Sequence, residues 1–165
     1  MVLSFMEWLQ LRESREWQPG LGTKDEIYRR ITTTGIPARR GTRANQFSKS
    51  YATDPGDFGR GIYYSTNFYR AKQHGDVTKS VLRLRNPIVL TDEEAYRFAA
   101  QFHTVKLSDE DYESIRDPRL RVEKMVANAM ELTRYFIGLG HDGLVCIHKR
   151  GELEMVDFSP YLHAK

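Results

Sequence analysis

Apolar positions recur along this chain at two different periods, and the change from one to the other divides it. Val2, Phe5, Met6 and Leu9 fall at helical spacing, as do Ile27 and Ile31. Thr23, with Glu26 three positions on, has the form of a capping box, in which a hydroxyl and a carboxylate satisfy each other's backbone amides. Two short helices are therefore expected within residues 1–34. From Ile36 onward Pro37, Gly41, Pro55, Gly56, Gly59 and Gly61 cut the chain into short pieces. Ile62 to Thr66 reads as a strand and Asn67 to His74 as a helical turn. Thr78 to Leu84 and Pro87 to Leu90 read as further strands, with a helix starting near Thr91. Beyond Pro118, the apolar residues Val122, Met125, Val126, Ala129, Leu132 and Phe136 predict a longer helix, which Gly138 and Gly140 stop. Leu144 to Ile147 and Leu153 to Phe158 then form a hairpin turned at Lys149, Arg150 and Gly151.

The last of these strands carries an anomaly. Period two places Glu152, Glu154, Val156 and Phe158 on one side and Leu153, Met155 and Asp157 on the other. Glu154 thus sits on a face that also wants burial. An unpaired buried carboxylate is costly, so a cation or a ligand hydroxyl must satisfy it, or the strand must line a cleft.

Length and composition bound the class. At 165 residues the chain, 1–165, is expected to form one domain with a core of its own. No apolar run approaches the roughly 20 residues of a membrane span, so a soluble protein without a membrane partner is expected. Met1 to Leu11 is apolar but carries Glu7, and it has neither a basic leader nor a small-residue cleavage site. A cytoplasmic location follows as the expectation. The lone Cys146 excludes an intrachain disulfide and lies in an apolar run, where a thiol packs as a small hydrophobe. The histidines show no metal-ligand spacing, and with a single cysteine no metal is expected. The net charge of +3 is unevenly spread: between Lys24 and Arg85 stand 13 lysines and arginines against five acids. Such a segment suits a polyanion, either nucleic acid or the diphosphate of a nucleotide. A solvated basic face is the plainer alternative.

Three separated pieces carry the candidate chemistry: Arg39, Arg40, Gly41, Thr42; then Gly59 to Thr66; then Glu152, Leu153, Glu154. A cation beside a glycine and a hydroxyl, then aromatics with Ser and Thr on a strand, then a late glutamate: in this order the chain resembles the mono-ADP-ribosyltransferase family of toxins. Gly61, Ile62, Tyr63, Tyr64, Ser65, Thr66 is similar to the tyrosine motif of the diphtheria-type enzymes. Asn86, Pro87, Ile88 and Gly140, His141, Asp142, Gly143 resemble connections in phage-borne and toxin-associated members. The resemblance covers about Arg39 to Pro160, leaving the middle helices unmatched.

The resemblance implies an α+β fold with two short, roughly orthogonal sheets around an NAD cleft, flanked by helices. It implies an enzyme that moves ADP-ribose from NAD to a macromolecule and releases nicotinamide, as an intracellular toxin, phage or defence protein does, with an antitoxin or immunity protein as a further partner. Arg40 would hold the dinucleotide by its phosphates or ribose, Gly41 would let the backbone approach the nicotinamide amide, and Thr42 would support that turn. Tyr64, with Tyr63, would stack on nicotinamide, and Ser65, with Thr66 as a second support, would orient Glu154. Glu154 would face the positive charge that develops as the glycosidic bond breaks. At about 4 Å and an effective dielectric near 20, two unit charges attract by roughly 4 kcal/mol, a rate effect on the order of 10² to 10³. In members that modify arginine, a glutamate two positions earlier engages the guanidinium, which gives Glu152 that role. A nucleic-acid acceptor, RNA or DNA, stands beside protein arginine as the alternative.

The chain departs from both main patterns of that family. Arg40 stands where diphtheria-like members have histidine, Ser65, Thr66, Asn67 stands where arginine-specific members carry Ser-Thr-Ser, and His74 stands near where a second stacking tyrosine is expected. Two competing functions follow from the same residues: a non-enzymatic basic nucleic-acid-binding protein, and an NAD glycohydrolase using water as acceptor. Gly59, Arg60, Gly61 lacks the strand and helix context of a dinucleotide fingerprint or phosphate loop.

Overall fold

The computed structural model of the chain describes residues 22–42, 54–73, 75–105 and 115–163, and of residues 42, 54 and 55 the backbone alone. The expected helix over Val2 to Leu9 and the residue His74 lie outside the described residues. Helix α1 (Lys24–Thr33) begins as the capping box requires: Thr23 Oγ1 accepts from the Glu26 amide and Glu26 Oε2 from the Thr23 amide, both at 3.3 Å. It buries Ile27 and Ile31. Strand β1 (Ile36–Thr42) follows, then β2 (Asp54–Gly56) and β3 (Gly59–Ser65). A five-residue helix α2 (Phe68–Lys72) leads to β4 (Asp76–Leu82) and β5 (Ile88–Thr91).

Helix α3 (Asp92–Gln101) opens on a second capping box, Thr91 with Glu94. Lys24 Nζ donates to Glu94 Oε1 at 2.8 Å and so ties α1 to α3. Helix α4 (Pro118–Gly138) matches the periodicity read from sequence, and it ends in a Schellman turn. There the His141 amide donates to Phe136 O and that of Gly140 to Ile137 O, with Gly140 at φ +93°. That backbone conformation is open to glycine and strained for other residues. The chain closes with the hairpin β6 (Gly143–Ile147) and β7 (Leu153–Asp157), followed by one 3₁₀ turn at Ser159–Tyr161.

The described strands form one open sheet in the order β4-β1-β3-β7-β6-β5, with β2 paired to β3 alone. The expectation of two separate sheets is thus replaced by a connected path. Its narrowest link is the β1–β3 step, where Arg39 opposite Ser65 is the register pair, whereas β1 and β4 pair along the whole of both strands, Ile36–Thr42 against Asp76–Leu82. All neighbours are antiparallel except β5 and β6, which α3 and α4 separate in sequence.

Both faces of the sheet are covered. Ile27, Ile31, Ile36, Leu84, Val145, Leu153 and Met155 pack together on one face, and Phe58, Leu132, Phe136, Leu144, Cys146, Val156 and Phe158 on the other. Strand β7 supplies residues to both, as its alternation predicts. Cys146 is fully buried, and burial, with Glu154 adding, pushes its thiol up to about 12. It packs as expected. No helix among the described residues is long and apolar enough to cross a membrane.

Candidate functional site

Register across the sheet assembles the site. Lys79 on β4 opposes Arg39 on β1, Arg39 opposes Ser65 on β3, Ser65 opposes Glu154 on β7, and Glu154 opposes Cys146 on β6. Directly opposed residues project to the same face, so Arg39, Ser65 and Glu154 share one side of the sheet. They border a narrow, half-open cleft together with Gly41, Tyr63, Tyr64, Arg70 and Ala71. Arg39 and Ser65 are each 4% exposed.

This register corrects the cation. Arg39, not Arg40, lies in line with Ser65 and Glu154. Arg40 opposes Thr78, whose hydroxyl donates to the Arg40 carbonyl at 3.3 Å, and one step along the strand turns it to the other face. There it opposes the rise that burial and Asp157 impose on the Tyr64 phenol. Gly41 keeps its expected place at the cleft, while Thr42 is described in its backbone only.

The two tyrosines divide as alternation demands. Tyr64 packs against the Ile27 and Met155 cluster, whereas Tyr63 shares the side of Ser65 and Glu154. The Tyr63 hydroxyl accepts from the Phe58 amide at 3.1 Å and donates to Gly59 O at 2.6 Å, which fixes its ring over Gly56. Of the two, Tyr63 is the ring on the face of the sheet that carries Ser65 and Glu154.

Ser65 and Thr66 act through the backbone. Ser65 Oγ accepts from the Asn67 amide at 3.0 Å, turning the chain into α2. Thr66 exchanges bonds with Leu153: its amide donates to Leu153 O at 3.0 Å and its hydroxyl accepts from the Leu153 amide at 2.9 Å. The entry to β7 is pinned beside the end of β3. The expectation that Ser65 holds Glu154 gives way to two other partners. Glu154 Oε2 lies 2.9 Å from His148 Nε2 and accepts from Arg70 Nη1 at 3.2 Å.

Glu152 faces the same cation. Arg70 Nη2 donates to its Oε1 at 2.9 Å, and Asn67 Nδ2 donates to its other oxygen. Burial pushes the Glu152 carboxyl up, but the bonds from Asn67 and Arg70 and the charge of Arg70 outweigh it, leaving the group below its ordinary value. Asp57, in the β2–β3 turn, shifts the opposite way: burial, then the nearby charge of Glu154, raise it, and Arg70 only partly compensates. Tyr96 is raised by burial and by the charges of Asp57 and Glu154. Its ring meets Phe58 edge-on, centroids 5.1 Å apart. One carboxylate thus shapes the titration of its whole surroundings.

Arg70 and His148 are site residues that motif reasoning passed over, while Arg39 and Asn67 stood in its motifs without a role of their own. Counting period two back from Ser65 to its antiparallel partner finds Arg39 only once the register is known. Arg70 lies one helical turn past Asn67, and His148 reaches Glu154 because the His148 amide closes the hairpin turn on Glu152 O at 2.9 Å. The segments around Asn86 and Gly140 meet away from the cleft. There Asp142 accepts from the amides of Arg85 and Asn86, and Asn86 Nδ2 donates to Gly140 O. His141 belongs to this junction, its Nδ1 3.1 Å from Asn86 O. Among the described residues no group of three histidine, cysteine, aspartate or glutamate side chains is placed to hold a metal ion.

Comparison with known proteins finds no matching family model, no matching curated protein and no matching solved structure.

Proposed function

We propose that this chain transfers the ADP-ribosyl group of NAD to a macromolecular acceptor and releases nicotinamide. The observation that carries the reading is the line Arg39, Ser65, Glu154, drawn from three separated segments into one half-enclosed cleft. In the reaction the bond between the ribose anomeric carbon and the nicotinamide nitrogen breaks. Nicotinamide leaves with the bonding pair, and the acceptor's nucleophile attacks the carbon and gives up its proton. Glu154, fixed by His148 and Arg70, faces the cationic ribose of the transition state. Arg39 takes the phosphates and adjoining ribose, its planar donors matching them in pairs. Tyr63 walls the nicotinamide, and Gly41 lets the ring approach the backbone.

The nicotinamide and its ribose then meet the sheet at Arg39, Ser65 and Glu154, with the adenosine half of the dinucleotide lying along the cationic edge. On this reading the architecture is ADP-ribosyltransferase-like: β4 and β1 act as one sheet, β3, β7, β6 and β5 as a second, meeting at Arg39 and Ser65. A cytoplasmic toxin, phage or defence protein with an antitoxin or immunity partner is the setting that accords with it. The test is incubation with labelled NAD and a cell lysate, then digestion by protease or by nuclease, beside the variant Glu154→Gln. Transfer of label that depends on Glu154 supports the reading. Absence of both labelling and nicotinamide release overturns it, and nicotinamide release without labelling assigns water as the acceptor.

A non-enzymatic nucleic-acid-binding protein is the second reading, favoured by the exposure of Lys72, Lys79, Arg83 and Arg85. Affinity that falls steeply with salt while NAD stays intact would select it.

A further inference from the structure

Arg70 occupies both carboxylates of the β7 edge at once. Nη2 takes Glu152 Oε1 and Nη1 takes Glu154 Oε2, while Asn67 takes the second oxygen of Glu152 and His148 shares that of Glu154. This is the forked pairing that an acceptor arginine would have to make with the same two groups. We infer that Arg70 determines the acceptor class of this site, holding the carboxylate pair against any incoming guanidinium, so that the acceptor is a nucleic acid strand. The inference rests on the ADP-ribosyl transfer proposed above.

The placement of Arg70 is built into the local structure. Asn67 caps α2 by accepting from the amides of Tyr69 and Arg70, and the same side chain donates to Glu152. One residue thereby orients both the helix that carries the cation and the carboxylate that receives it. Helix α2 packs on β1, β3 and β4. Tethered so closely, Arg70 competes with free arginine at an effective concentration on the order of millimolar or higher. Buried Arg39 and the forked Arg70 stand against Glu152, Glu154 and the neighbouring Asp57, and outside them exposed Lys72 and Lys79 set a cationic border along α2 and β4. A phosphate backbone is attracted there, while a protein arginine meets like charge.

Two measurements test this on the full chain. With labelled NAD supplied, agmatine and a single-stranded RNA 12-mer compete as acceptors. The native chain is expected to label the RNA in preference to agmatine. Arg70→Gln should shift the agmatine-to-RNA labelling ratio by about tenfold or more toward agmatine, and Arg70→Lys, which keeps a charge but cannot span both carboxylates, should fall between Arg70→Gln and the native chain. A native chain that prefers agmatine, or an unchanged ratio in Arg70→Gln, overturns the inference. Separately, agmatine is titrated into each protein without NAD, with thermal melts showing that the variants fold. Binding is expected to Arg70→Gln and not to the native chain, and equal binding to both overturns the occupancy of the pair by Arg70. This second measurement does not depend on NAD chemistry, so failure of the transfer reading and failure of the Arg70 assignment give different results.

Discussion

His148 and Glu154 leave the hairpin turn on opposite strands, yet the imidazole Nε2 stands 2.9 Å from the Glu154 carboxylate. His148 is itself buried beside Phe58, whose ring centroid lies 6.4 Å from its own. A buried ring that cannot swing away fixes the carboxylate it touches. Hydrogen bonds to charged groups contribute roughly 1.5–3 kcal/mol, so His148→Ala is expected to slow nicotinamide release by about 10- to 100-fold. Single-turnover kinetics with the protein in excess over NAD measure this directly, and an unchanged rate would remove His148 from the site.

Glu154→Gln keeps the shape of the side chain and removes its charge. The expected loss in the rate of nicotinamide release is on the order of 10² to 10³, with the melting temperature little changed, because Arg70 keeps Glu152 as its partner and the amide oxygen still accepts. A parallel fall in both would mean that the carboxylate serves the fold.

Register makes Arg39 and Arg40 unequal, although they are neighbours in sequence. Arg39→Lys should weaken NAD turnover by about tenfold or more, since a lysine cannot reproduce paired donation to phosphate or ribose. Arg40→Lys, on the opposite face, should change it by less than about twofold. Michaelis constants for NAD in the two variants decide the matter.

Asp57 gives the fold a pH dependence of known sign. Its carboxyl is held above the ordinary 3.8 by burial and by Glu154, so the folded state binds this proton more tightly than the unfolded one. Its contribution to stability is full below pH 3.8 and is lost as the pH rises through the folded-state value. Glu152, held below 4.5, works in the opposite sense: its contribution is present above 4.5 and is lost as the pH falls through the folded-state value. Asp57→Asn should therefore flatten the decline above pH 3.8 and leave the acid limb in place, as denaturant midpoints across a pH series would show.

Gly59 adopts φ +106°, and a Cβ there would stand 2.6 Å from Thr133 Oγ1. That hydroxyl already accepts from the Arg60 amide at 2.7 Å, locking β3 to α4. Gly59→Ala is expected to cost about 1–3 kcal/mol in strain and displaced contact, read as a lower denaturation midpoint. Thr133→Ala, which removes the bond and makes room, should restore part of the loss in the double variant.

Much of the scaffold was legible because it is written in local terms. The capping box at Thr23, the long amphipathic α4 and the hairpin around Gly151 each follow from residues a few positions apart. The two carboxylates were also legible, since a charge among apolar neighbours on an alternating strand stands out. What sequence could not supply was register. Arg39, not Arg40, is in register with Ser65 and Glu154, and one residue on a strand is the difference between two faces. The same limit hid Arg70 and His148, whose partners depend on how α2 and the hairpin turn fold back over β7. It also favoured Tyr64 over Tyr63, because nothing local tells which of two adjacent rings shares the face of Ser65 and Glu154.

The place of β7 in the sheet has a consequence for synthesis. It is the last strand of the described chain, yet it lies between β3 and β6. Until it emerges from the ribosome, those two strands have no partner in common, and each presents an unpaired edge. Glu154 therefore meets Arg39 and Ser65 only after every other described strand has been made. A chain arrested earlier holds half of the site on one side of a gap and half on the other.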